Sequence, residues 1–169
     1  MRRYRLLLAS VAGAVVSCQS TPVATPALLP AERAALADTL RAATREYGAI
    51  QKPGLCADLT PFTKRFAYPD SQYLSVHDTV AHFITRAEWE ATLHNAFCGL
   101  RQLDGKVDTV AVQVLTRDIA MVGWTFDEIA TDTTGKASHI KGSVLQSWIR
   151  TPAGWAVTGD MAAHVVVPR

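Results

Sequence analysis

Charge is scarce in this chain. Only 19% of its 169 residues are charged, aromatic residues make up 8%, and cysteines number three. No acidic residue occurs before Glu32. The first apolar run, Leu6 to Val16, is eleven residues long, against the roughly 20 that a helix needs to span a bilayer. GxSxG, HExxH, phosphate-loop and CxxC patterns are all missing, which removes the common nucleophile, zinc-protease and nucleotide signatures. Ser143 follows Lys141-Gly142 but has no upstream glycine to complete a phosphate loop. Nothing resembles a nucleic-acid surface. No Cys/His spacing suggests a metal, and no cofactor is expected. What is present is 49% hydrophobic residues in a length that suits one domain with its own core, which argues against disorder.

The chain begins with Arg2, Arg3 and Arg5, then the apolar run, then small residues. That order is a secretory signal. It closes on Val15-Val16-Ser17-Cys18, which resembles the bacterial lipoprotein signal, whose cysteine is lipidated and becomes the new N-terminus. The expectation is a signal peptide over residues 1–17, a lipid anchor on Cys18, and a Pro-rich tether over residues 18–30. The alternatives are an ordinary signal peptide cut nearby, or a buried helix. On the lipoprotein reading the domain is exported and faces the periplasm or cell exterior, touching membrane only through its anchor. Removing the three signal arginines from the 17 basic residues leaves 14 against 15 acidic, a net charge of −1. The whole-chain pI near 8.5 therefore belongs to the signal, and with it any case for an anionic partner. For Cys56 and Cys98 two readings stand: a disulfide closing a loop of about 40 residues, or two buried thiols.

Between Ala31 and Ile50, Leu36, Leu40, Ala43, Tyr47 and Ile50 recur at helical spacing, and Pro53-Gly54 stops the helix. A second, shorter helix is expected around Asp58–Ala67, then a small hairpin from Gln72–His77 and Val80–Ile84. Thr85-Arg86-Ala87-Glu88 is a capping box that opens a third helix, with Trp89, Leu93, Ala96, Phe97 and Leu100 on its apolar face. Asp104-Gly105 is read as the turn after it. From there the period changes to two, over Lys106–Leu115, Ile119–Ala130, Ala137–Arg150 and Trp155–Val167. Helices segregated before long antiparallel strands make the chain α+β.

Asp58–Phe66 leading into a strand, the helix capped at Thr85, and Gly154-Trp155-Ala156-Val157 opening the last strand together resemble the nuclear transport factor 2-like fold. Within it, the exported SnoaL-like and ketosteroid-isomerase-like branch is the most similar. The resemblance covers about residues 31–168 and implies a cone: three N-terminal helices packed on a strongly curved antiparallel sheet. Ketosteroid isomerase relatives place a base carboxylate on the first strand, a Tyr on the first helix and a protonated Asp on the penultimate strand. Here Tyr47 lies about one turn early, Gln72–His77 carries no carboxylate until Asp78, and Gln146 falls near the Asp position. Polyketide-cyclase relatives use an Asp/His pair inside the cone, for which His139, Asp160 and His164 are candidates. Straight strand alternation puts Asp160 and His164 opposite Val157, Gly159 and Met161, and turns His139 outward.

Tyr47, Tyr73, Trp89, Trp124, Phe126, Gln146, Trp148 and Met161 are therefore expected to line an aromatic cavity with few polar tips. The competing reading is that these side chains simply fill the core. The leading expectation is a domain that binds a small, largely apolar molecule in the cone. A second is a proton-transferring isomerase, cyclase or dehydratase using Tyr47 with Asp78 or His77. A third is an interaction module, a homodimer joined through an uncharged outer sheet face that includes Thr125, Ser143, Leu145 and Ala162. His77, His82 and His94 are taken as surface or satisfied residues.

Overall fold

The computed structural model describes residues 27–65, 73–78 and 80–168. The expected signal peptide, Cys18 and most of the expected tether lie outside the described residues. Helix α1 (Pro30–Ala49) starts on a proline, whose missing N–H costs nothing at that position. The Glu32 carboxylate accepts the Leu29 N–H at 2.9 Å and sits 3.1 Å from Arg117. Ala37, Leu40, Thr44 and Tyr47 form the buried stripe of α1, which lies along the sheet. A 3-10 turn (Pro53–Cys56) and a single helical turn α2 (Thr60–Thr63) follow. The α2 turn is shorter than expected, and the Asp58 carboxylate, just ahead of the N-cap residue Leu59, accepts the Thr60 N–H at 2.9 Å.

Strands β1 (Tyr73–His77) and β2 (Val80–Ile84) form the small hairpin, turning at Asp78 with φ +51°. Aspartate is one of the few side chains that tolerates this region. Helix α3 (Arg86–Cys98) begins with the capping box: Thr85 Oγ1 accepts the Glu88 N–H at 3.3 Å, and the Glu88 carboxylate accepts the Thr85 N–H at 2.7 Å. Trp89, Leu93 and Phe97 are its buried face. Cys98 is disulfide-bonded to Cys56, with their Cα atoms 4.7 Å apart, and this ties the end of α3 to the 3-10 turn.

Four long strands complete the domain: β3 (Leu100–Val114), β4 (Ile119–Asp132), β5 (Ala137–Thr151) and β6 (Gly154–Val167). The sheet order is β2-β1-β6-β5-β4-β3, antiparallel throughout except for the parallel pair β1–β6. The helices cover its concave face, which makes the α+β cone.

Two local expectations fail. Asp104-Gly105 is not a turn, because β3 starts at Leu100 and runs through both residues. Gly105 pairs with Glu128, and the Glu128 side chain crosses the space that a Cβ at position 105 would fill. The second failure concerns β6. Trp148 pairs with Val157 and Ser147 with Gly159, so Thr158 is an extra residue, a β-bulge. Its hydroxyl is held 2.8 Å from Ser147 Oγ. One inserted residue reverses every side chain beyond it. Val157 is inward before the bulge, and Asp160, Ala162 and His164 line the inside after it. Met161, expected in the cavity, is turned to the convex face and is half exposed.

Candidate functional site

The open end of the cone holds a cavity of about 200 Å³. Tyr47 from α1, Trp89 from α3, Trp124 and Phe126 from β4, and Gln146 from β5 all line it. The aromatic wall is continuous. Ring centroids lie 4.8 Å apart for Tyr47–Phe62, 6.0 Å for Tyr47–Trp124 and 5.7 Å for Trp124–Phe126. Trp148 is fully buried behind this wall and belongs to the core rather than the lining. The Tyr73 side chain lies outside the described residues.

Gln146 is the deepest polar group, with no exposed surface. Its Oε1 accepts two indole N–H groups, from Trp124 at 3.3 Å and from Trp148 at 3.2 Å. An indole nitrogen can only donate, so these two contacts fix which end of the amide is oxygen. The Nε2 end is thereby turned away from both tryptophans, and it has no protein partner among the described residues. A buried donor left in that state costs about 1–3 kcal/mol. An acceptor arriving in the cavity removes that cost.

Beside it stand ionisable groups that strand alternation alone misplaced. Asp160 is buried, and its Oδ1 lies 3.8 Å from Nε2 of His77. His77 reaches this position because β1 runs parallel to β6, with Ser75 opposite Asp160 and His77 opposite Ala162. Its ring sits 6.1 Å from that of Trp89. At the rim, His164 donates its backbone N–H to Asp78 Oδ1 at 3.2 Å, and its Nδ1 lies 3.4 Å from Asp78 Oδ2. Glu128 is the remaining carboxylate of the lining, and burial pushes its pKa up, with the charge of Lys52 opposing. His139 points outward, paired with Asp127 at 2.6 Å. The signal that could have placed Asp160 inward is Gly159, an isolated glycine in a strand pattern, which often marks a bulge.

Larger hollows exist elsewhere. One of about 460 Å³ lies on the convex sheet face, and one of about 630 Å³ lies between α1 and the β5–β6 turn. Neither brings a buried carboxylate to a histidine.

A helix-covered, strongly curled sheet with a cavity at its open end defines the nuclear transport factor 2-like fold. Solved structures share it. A protein of this family from Streptomyces avermitilis, provisionally named a dehydratase, is 19% identical, with a TM-score of 0.59 over 81% of this chain and 97% of its own. A nuclear transport factor 2-like superfamily protein from Salmonella enterica is 15% identical, at TM-score 0.59 over 78% and 94%. The association domain of CaMKII from C. elegans is 16% identical, at TM-score 0.56 over 78% and 97%. No protein-family model matches the chain, and no curated protein does. At these identities the likeness establishes the fold.

Proposed function

We propose that the cone binds a small, largely apolar, ring-bearing molecule and that the His77–Asp160 pair moves a proton on it. The observation that carries this reading is the buried Asp160, beside His77, opening on the same cavity as the oriented amide of Gln146. A ligand carbonyl oxygen accepts from Gln146 Nε2, while the aromatic wall takes the ring. The Asp160–His77 pair removes a proton from the carbon next to that carbonyl, and the negative charge that develops on oxygen meets the amide donor. Returning the proton to another carbon is isomerisation. Delivering it to a departing hydroxyl releases water and is dehydration. The provisional dehydratase name of the Streptomyces protein supports the second outcome. Pure binding uses the same Gln146 contact and leaves Asp160 idle.

The test uses the full chain, aromatic ketones as probes, quenching of Trp89 and Trp124 fluorescence for binding, and deuterium uptake by NMR for proton transfer. Binding with uptake that Asp160→Asn abolishes is the expected result. Binding without uptake removes the chemistry and keeps the site, and no binding removes both.

The same proposal puts the domain on a lipid anchor at Cys18, supported by the arginines and apolar run before it. It also pairs two copies through the convex sheet face, where Leu74, Leu145 and Met161 are exposed around an apolar groove. The shared fold of an association domain supports that pairing. A Cys18→Ser chain that still incorporates fatty acid contradicts the anchor, and a monomeric mass at high concentration contradicts the pairing.

A further inference from the structure

Away from the cone, the joint between α3 and the 3-10 turn gathers three soft ligands. His94 and Cys98 are four residues apart on α3, which puts them on one side of the helix. Cys56 comes from the turn. One ligand atom of each, Cys56 Sγ, His94 nitrogen and Cys98 Sγ, lies within 4.8 Å of the other two. His94 Nε2 is 3.4 Å from Cys98 Sγ. Zinc bonds of about 2.0–2.1 Å to nitrogen and 2.3 Å to sulfur, held at a tetrahedral angle, separate the two ligand atoms by about 3.5 Å. The His94–Cys98 edge of a tetrahedron is therefore already present. The sulfur–sulfur edge of such a site is about 3.8 Å by the same geometry, so the two sulfurs move apart once their bond is cut.

We propose that Cys56, Cys98 and His94 form a redox-gated zinc site, closed as a disulfide and able to hold Zn²⁺ after reduction. A dithiol reductant supplies two electrons and two protons, converts the disulfide to two thiols and is itself oxidised to a disulfide. Zinc then binds both sulfurs as thiolates, releasing their two protons, with His94 Nε2 as third ligand and water in the fourth position. The metal joins α3 to the 3-10 turn as the disulfide does, so the two are alternative clasps on one joint. That joint supports the cavity, because Trp89, Leu93 and Phe97 line the cavity from the same helix. The site rests on neither the proposed chemistry nor the proposed ligand.

The test takes the purified full-length chain, reduced with a phosphine and titrated with Zn²⁺ against a chromogenic chelator, with Tm followed in parallel. The expected result is one zinc per chain, bound only after reduction, with Tm lowered by reduction and raised again by zinc. Substituting Co²⁺ gives the intense visible bands of a tetrahedral thiolate site. His94→Ala weakens zinc binding by about tenfold or more, since loss even of a residue that only supports a ligand costs 10–100-fold. In its oxidised state that variant keeps the wild-type Tm. If the reduced chain unfolds, zinc-driven recovery of its far-UV signal is the same readout. No zinc bound by the reduced chain overturns the proposal. Equal affinity in His94→Ala overturns it too, since two thiolates alone then account for the binding.

Discussion

The two faces of the sheet solve opposite problems with neighbouring residues. On the concave face, Trp148 has no exposed surface and Gln146 is pinned by two indoles. On the convex face, Leu145 directly precedes Gln146 in sequence and is 42% exposed. The inner face spends its polar atoms on fixed directions: an amide donor and a carboxylate beside a histidine. The outer face carries small hydroxyls and scattered aliphatics around an open groove, with charged pairs such as Asp127–Lys141 among them. A side chain's neighbours in sequence say little about its role here. Its parity along the strand says almost everything, and one bulge resets the parity.

That contrast can be broken at several points. The largest expected effect is on the concave side: Trp148→Ala costs about 3–5 kcal/mol by denaturant unfolding, because it empties a packed site and leaves Gln146 short of a donor. Leu145→Ala, from the convex side, stays within about 0.5 kcal/mol when unfolding is measured on the monomer. Equal losses from the two would erase the distinction. Asp160→Asn reduces deuterium uptake by about 10²–10⁴-fold, the usual share of one acid–base group, with ligand affinity little changed. Leu145→Lys shifts the sedimentation of a dimer towards monomer, and if the mass is unmoved the contact lies elsewhere.

The smallest effect belongs to Glu128. Burial raises its pKa in the folded state, so folding takes up a proton and stability falls as pH rises above the ordinary carboxylate range. Glu128→Gln removes that cost. Its Tm exceeds wild type at pH 7, and the advantage shrinks by pH 4. A constant difference across that range would place Glu128 in solvent.

Much of this architecture is legible from residue spacing. The Thr85 capping box starts α3 where expected, and β4, β5 and β6 end within two residues of their predicted limits. Tyr47, Trp89, Trp124, Phe126 and Gln146 line one cavity. Asp160, His164 and Met161 were misplaced for a single reason, since alternation was counted straight through Thr158 while the pairing of β5 with β6 skips it. Gly105 misled in another way. Next to Asp104 it looks like a turn, but its role is to leave room for Glu128 on the adjacent strand, a contact no local pattern contains. His77 reaches the cavity through the parallel pairing of β1 with β6, and the sequence separation of those strands hides it from any short window.

That parallel pairing also sets an order of events. Leu74 pairs with Gly159, so β1 has no partner on its inner side until the last strand has been made. Contacts that distant in the chain form late, after a costly loop closure. Asp160 and His164 ride on the same last strand. The ribosome releases Asp160, the carboxylate of the proposed His77–Asp160 pair, near the end of synthesis, and a chain cut short before Gly154 leaves β1 and β5 as bare edges. On the proposed reading, quality control and chemistry converge on β6: a molecule that has failed to finish folding has also failed to place Asp160 beside His77.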